Sequence, residues 1–345
     1  MKNYSILVSL IVLLFFVSVI AVGTGPFKVS PVQVIGILLS KIGIAFSGFT
    51  SAQESVVINI RIPRIILAVL VGCSLAVSGG ALQGLFRNPL VDPGLIGVSS
   101  GAAVAVASMV IFGKPLMKVI PEFMGLYILA VAAFCGGITA SFIVLKMSEM
   151  TGRANVMNMI LSGIAINSIA VAGIGLLNFL SNDQQMRTIT FWSLGSLGGA
   201  TWLSLMVISP FIIGMTYLTV RKARELNVLA LGEREAGHLG INIEKLKKQV
   251  VLISAISVGA AVSVSGIIGF LGLVVPHLAR LIIGPDHRAL IPISALLGAI
   301  LMIISDIFAR MIVSPAELPI GILTSLIGGP FFIFLILKNS RLFKI

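Results

Sequence analysis

The sequence predicts an all-α membrane protein that crosses the bilayer about ten times. Three observations carry this prediction: an apolar composition, apolar runs of spanning length along the whole chain, and an uneven placement of the basic residues between them. Hydrophobic residues make up 57% and charged residues 10% of the 345 positions, with a mean hydropathy of +1.12. A water-facing surface takes roughly a quarter charged residues, so a soluble domain of this length is excluded.

Runs of about 20 apolar residues place spans at 5–23, 62–84, 94–112, 123–146, 156–180, 197–220, 248–268, 271–284, 291–311 and 319–337. Lys2 ahead of the run from Ile6 to Val22 resembles a signal peptide, but Ala21-Val22-Gly23 is a poor cleavage site, and an uncleaved first span is the better reading. The eighth run is too short to cross comfortably. Pro276 within it and Gly284-Pro285 after it mark a broken or re-entrant element, which a membrane tolerates only where protein or water covers the free backbone groups. We read 1–345 as one transmembrane domain.

With the N-terminus inside, segments 85–93, 147–155, 221–247, 285–290 and 338–345 face the cytoplasm. These regions and the residues flanking them hold 15 of the 24 Lys and Arg, and the outer regions hold eight, as the positive-inside rule requires. The net charge of +12 is scattered between apolar runs, not gathered on one face as nucleic-acid binding demands. No acid sits in the middle of a confident span; Asp306 and Glu317 lie near the outer ends of the last two. That argues against ion coupling, which needs a midplane carboxylate or a broken-helix cation site. Cys73 and Cys135 sit within apolar runs without metal-type spacing and read as small packing residues.

Arg61-Ile62-Pro63-Arg64 opens the second span on the outer face. Pro63 suits a first helical turn, and two guanidiniums three apart point the same general way; snorkelling anchorage at the interface is the plain alternative. The stretch from Gly80 to Gly94 ends one span and begins the next, with Pro89 and Pro93 preventing a continuous helix, while Gly94, Gly97 and Gly101 permit close backbone contact.

The Arg-x-Pro-Arg element, the Gln83–Pro93 loop, the run from Gly266 to His277, and Glu317-Leu318-Pro319-Ile320-Gly321 followed by Gly329-Pro330-Phe331 together resemble the permease family that imports ferric siderophores, heme and vitamin B12, the FecCD and BtuC type. The resemblance covers essentially the whole chain in order and spacing. It implies the type II ABC importer permease fold: ten helices with an inverted five-helix internal repeat, of which Gly84 with Gly272 and Pro89 with Pro276 are a trace. It also implies a dimer of permease subunits, expected to be identical, around one pathway. It further implies two ATPase subunits beneath and a periplasmic binding protein above, in the bacterial inner membrane, with both termini expected to be cytoplasmic.

Under that resemblance Arg61, Arg64 and Arg310 are docking residues for acids on the binding protein, with Asp306 one turn before Arg310 to hold it. Residues 221–247 with Lys248 carry seven basic and four acidic residues. Leu226–Gly232 and Glu235–Gly240 read as two short glycine-stopped helices whose apolar residues ask for a partner surface. The plain reading is a solvated charged loop; the resemblance makes it a coupling loop on the ATPase, with Leu229, Gly232, Glu235, Ala236, Leu239 and Gly240 in contact. The chain has no phosphate loop and so cannot bind ATP in that way; the resemblance implies that ATP and magnesium belong to the partner and that the chain is a transport subunit, with no catalytic residues and no cofactor of its own expected.

The fifth span is rich in small and polar groups. Asn167 and Asn178, three turns apart on one face, together with Ser162 line a pathway or serve as interhelical hydrogen-bond glue. His238, His277 and His287 have no metal-ligand spacing, so no metal site is assigned. The outer segment Asp183–Gly199 resembles the heme branch most, making heme the first expectation for cargo, ferric siderophores the second and vitamin B12 the third; Trp192 within it equally suits an aromatic belt. A stand-alone secondary transporter or channel predicts a midplane charge or a constriction, and a membrane enzyme predicts a catalytic cluster; neither is present in the sequence.

Overall fold

A computed structural model describes residues 2–41, 43–44, 48–113, 122–149 and 156–340. Every element among them is helical: α1 (Lys2–Gly23), α2 (Pro31–Lys41), α3 (Ser51–Ser55) running through a π-helical segment Val56–Arg61 into α4 (Ile62–Phe86), α5 (Val98–Phe112), α6 (Glu122–Ser148), α7 (Val156–Leu180), α8 (Asp183–Ser193), α9 (Trp202–Leu229), α10 (Glu233–His238), α11 (Ile243–Ser265), α12 (Leu271–Ile283), α13 (His287–Met311) and α14 (Ile320–Ser340). Each of the ten predicted spans corresponds to one helix. Seven are long and apolar enough to cross a membrane, and α5, α12 and the apolar part of α14 are shorter.

The bundle is built inside out. The spanning windows of α4, α11 and α13 are 78%, 72% and 61% buried, against 11%, 22% and 28% for α1, α7 and α9. Lipid is as apolar as leucine, so helix pairing in membranes depends on close approach and hydrogen bonds. Here glycines provide the approach. A Cβ at Gly72 would overlap the carbonyl of Gly298, one at Gly79 that of Gly272, and one at Gly101 that of Gly136. These points join α4 to α13, α4 to α12 and α5 to α6. Ser74 Oγ and Ser257 Oγ, 2.9 Å apart, tie α4 to α11.

Boundaries shift where local chemistry overrides hydropathy. The seventh span ends at Ser265, three residues early, because Gly266 turns the chain at φ +67°. The sixth starts at Trp202, five residues late, where Thr201 caps the helix and exchanges hydrogen bonds with Ser204. It then continues to Leu229, so the first short helix expected at 226–232 is the tail of α9. Only the second exists as an element of its own, α10, entered at Gly232 (φ +132°) and closed before Gly240 (φ +84°).

At 13 residues and 1.5 Å per residue, α12 is about 20 Å long, short of a hydrocarbon core of about 30 Å. The irregular stretch 266–270 before it is covered by protein, as a broken element requires. Ser196 N–H donates to Ser265 O at 2.7 Å, while Ile320 and Gly321 N–H donate to Gly195 and Leu194 carbonyls at 3.1 and 3.0 Å. Loop 194–196 thus ties the end of α11 to the start of α14 beside this stretch.

Candidate functional site

Three regions hold the residues that the sequence singles out: the end of the bundle with the arginines, the opposite end with loop 230–242, and the face of α7.

At the arginine end, Arg61, Arg64 and Arg310 are only 3%, 5% and 4% exposed. Burying a guanidinium is costly unless it is paired or hydrogen-bonded; Arg64 and Arg310 are ion-paired, and Arg61 is held by main-chain carbonyls alone. Arg64 Nε donates to Asp306 Oδ1 at 2.9 Å and its Nη1 to Glu317 Oε1 at 2.7 Å. Arg310 Nε stands 3.0 Å from Asp306 Oδ2 as an i,i+4 ion pair, and its Nη1 donates to Thr24 O at 2.9 Å. Arg61 donates to Val22 O at 2.6 Å and to Phe27 O. The expected pairing of Asp306 with Arg310 is present. In all three the guanidinium donors are taken up by the Asp306 and Glu317 carboxylates or by main-chain carbonyls of Ala21, Val22, Thr24 and Phe27. Glu317, with its side chain 41% exposed, carries the cluster to the surface.

At the opposite end the six singled-out residues divide. Leu229 and Ala236 are buried against the bundle, and Leu239 and Glu235 are exposed. Lys247 of α11, itself buried, pairs with Glu233 at 3.0 Å and pins the start of α10. Gly232 and Gly240 supply positive φ on either side of α10, a conformation that costs other residues of order 1 kcal/mol or more. Leu231, exposed beside Leu239 in sequence reach of the same loop, was not singled out; its place between two glycine-bounded segments was the available signal.

On α7, Ser162 is buried. Asn167 Nδ2 donates to Gly94 O at 3.2 Å and its Oδ1 accepts from Ser100 at 2.5 Å, so this side chain glues α7 to α5 and the turn before it. Asn178 Oδ1 is buried with no hydrogen-bond partner among the described residues. The outward face of α7 is apolar, with Leu161, Ile169, Leu176 and Phe179 exposed. Among the described residues no three His, Cys, Asp or Glu converge on a metal position; His277 lies edge-on to Phe331 and His287 is buried at the start of α13. Of the cysteines, Cys73 is half-buried beside Thr216, and Cys135 faces outward.

A bundle of apolar helices with a charged, glycine-punctuated loop at one end and a buried ion cluster at the other suits a transport subunit, and the family model decides which kind. The model of the FecCD transport family matches residues 10–338. The chain belongs to that family. Among the relatives of this FecCD chain is the hemin transport system permease protein HmuU of Yersinia pestis, 50% identical over 284 residues that cover 82% of this chain and 84% of the relative. The iron(3+)-hydroxamate import system permease protein FhuG of Bacillus subtilis is 33% identical over 332 residues, 96% of this chain and 95% of the relative. A solved chain described as an inward-facing conformation of a transporter assigned to the metal-chelate ABC type aligns with a TM-score of 0.83 at 32% identity, covering 97% of this chain and 99% of that one. The FecCD chain is accordingly a multi-pass permease, helical in every element of its described residues, and a transport subunit.

Proposed function

We propose that this FecCD chain is the membrane channel of an ATP-driven importer whose cargo is heme. The observation that carries the cargo is the 50% identity with a hemin permease over most of both chains. A ferric hydroxamate is the second reading, supported by the likeness to the hydroxamate permease along nearly the full length. Cobalamin is the third, supported by 38% identity over 290 residues with the cobalamin import permease BtuC of Halobacterium salinarum.

In this reading two copies of the chain enclose the pathway, with α7 and its Ser162, Asn167 and Asn178 at or next to it. Two ATPase subunits, binding ATP and magnesium, push on the loop within 221–247 through the exposed Leu231, Glu235 and Leu239. Leu229 and Ala236 anchor that loop, and Gly232 and Gly240 shape it. A periplasmic binding protein seats on the opposite end. There Arg61, Arg64 and Arg310 act by holding the face in shape from below, and Glu317 is the charge presented. The basic bias supports a topology with both termini and the loop in the cytoplasm of a bacterium and the arginine end outside its inner membrane.

The test is uptake into proteoliposomes containing the permease, its ATPase and its binding protein, with hemin, a ferric hydroxamate and cobalamin supplied in turn. ATP-dependent uptake of hemin above the other two supports the proposal. Preference for another cargo reassigns it, and uptake without ATP overturns the mechanism.

A further inference from the structure

Four helices meet at the loop end of the bundle, and two side chains, Asn227 and His287, join three of them. Asn227 lies near the end of α9, five residues before Gly232. Its Oδ1 accepts from the backbone N–H of His287 at 2.8 Å and from His287 Nδ1 at 2.8 Å, and its Nδ2 donates to Asp286 Oδ1 at 2.6 Å. An amide oxygen only accepts, so Nδ1 bears the imidazole proton and Nε2 is left with a lone pair. Nε2 is buried without a partner and rests on Gly84 of α4, where a Cβ would overlap it and stand 3.0 Å from Cδ2. The imidazole, 5% exposed, is a neutral wedge between the first turn of α13 and the last turns of α4, held in one orientation by α9. The fourth helix joins next door: Arg280 of α12 donates to Gln83 Oε1 at 3.2 Å, and Gln83 Nε2 donates to Leu273 O at 3.2 Å.

We propose that Asn227 and His287 form a positioning joint through which displacement of loop 230–242 reaches the α4–α13 pair. This rests on the reading of that loop as the place where the ATPase pushes. The pair is suited to carry a displacement because its antiparallel helices touch at three levels: Gly84 with His287, Gly72 with Gly298, and Arg64 with Asp306. Gly72 is 12 residues from Gly84 and 8 from Arg64, about 18 and 12 Å along the axis, so the contacts run from one end of the bundle to the other. Packed helices move as bodies and do not deform gradually. α9 also packs along α4 and α13, and the joint is what ties its loop-proximal end to the start of α13 and the end of α4, so that a loop moving α9 moves all three in step at that end.

The test measures cargo taken up per ATP hydrolysed by the full importer in proteoliposomes, with whichever of hemin, ferric hydroxamate and cobalamin the wild type imports. Asn227→Ala removes all three hydrogen bonds and is expected to lower that ratio about threefold to tenfold, the range that one or two net hydrogen bonds produce, with ATP hydrolysis and assembly retained. His287→Ala is expected to do the same. Gly84→Ala alone displaces the imidazole and also uncouples; Gly84→Ala with His287→Ala is no worse than His287→Ala, because the added methyl occupies the vacated space. A wild-type ratio in both Asn227→Ala and His287→Ala overturns the proposal, as does loss of assembled complex in both, which assigns a purely structural role. Absence of ATP-driven uptake by the wild type is a separate result: it removes the importer reading itself, and the joint with it.

Discussion

The crossing of α4 and α13 invites the sharpest measurement. A methyl group at Gly72 would overlap the carbonyl oxygen of Gly298 and stand 2.7 Å from its carbon and 2.9 Å from Met302 Cβ, where ordinary contact begins at 3.4 Å. The difference between 3.4 and 2.7 Å means that the helices must part by 0.7 Å or more. Overpacking of this kind costs about 1–3 kcal/mol. The same separation stretches the Arg64–Asp306 hydrogen bond from 2.9 Å to about 3.6 Å, beyond hydrogen-bond range, and endangers a further contribution of about 1.5–3 kcal/mol. Gly72→Ala is therefore expected to lower the thermal midpoint of the purified permease in detergent, followed by the fluorescence of Trp192 and Trp202. Gly214→Ala is the control: this glycine is also inside a long helix, α9, but nothing lies within 4 Å of its Cβ position. Alanine there should be neutral or stabilising by up to about 1 kcal/mol on helix propensity. Equal midpoints for wild type and Gly72→Ala, or equal shifts in the two variants, would refute the close approach of α4 and α13.

Three further outcomes are expected. Arg64→Met leaves Asp306 buried with half its partners and should destabilise by about 3–5 kcal/mol, while Arg64→Met with Asp306→Asn recovers part of that loss; unfolding midpoints of the two variants decide it. Valine at Gly232 or Gly240 must adopt φ +132° or +84°, so either substitution should distort α10 and reduce transport per ATP with the spanning bundle intact by circular dichroism; wild-type transport in both refutes the assignment. The Arg288 guanidinium, hydrogen-bonded to the Asp286 carboxylate, holds that group below its ordinary range, helped by the Arg288 N–H and the Asn227 amide against the cost of burial. A depressed carboxylate stabilises fully above its unfolded value of about 3.9 and loses that contribution as pH falls further. Acid titration below about pH 4 should thus destabilise the wild type more steeply than Asp286→Asn, and parallel curves would dismiss this linkage.

The spans were legible because each needs a run of apolar residues that nothing else in a protein needs. What hydropathy did not report were elements shorter than a membrane: α2, with Val34 and Ile37 turned inward and Val32 and Ile35 outward, and α8, begun by Asn182 and Gln185 in a capping box. The shortness of α12 was visible, and its cover was not, since residues near 195 and 320 supply it. The same limit governed the sites. Arg64 could be placed at an outer helix end from its neighbours, but its burial depends on Asp306, 242 positions away. Asn227 and His287 are 60 positions apart, and neither carries a local pattern that marks it. The glycines on either side of α10 were legible because their effect is on their own backbone.

The seam where loop 194–201, segment 266–270 and the start of α14 meet has a geometric consequence. A Cβ at Gly195 would stand 2.5 Å from the carbonyl oxygen of Ile267, one at Gly266 would overlap that of Trp192, and one at Gly321 that of Leu194. Main chain abuts main chain from three remote parts of the sequence, so no rotamer change elsewhere can make room for a side chain at any of the three. Single steps away from glycine are closed here. A side chain at any of the three is accommodated only by moving whole helices, so the seam fixes how the end of α11, the start of α14 and loop 194–201 sit against one another.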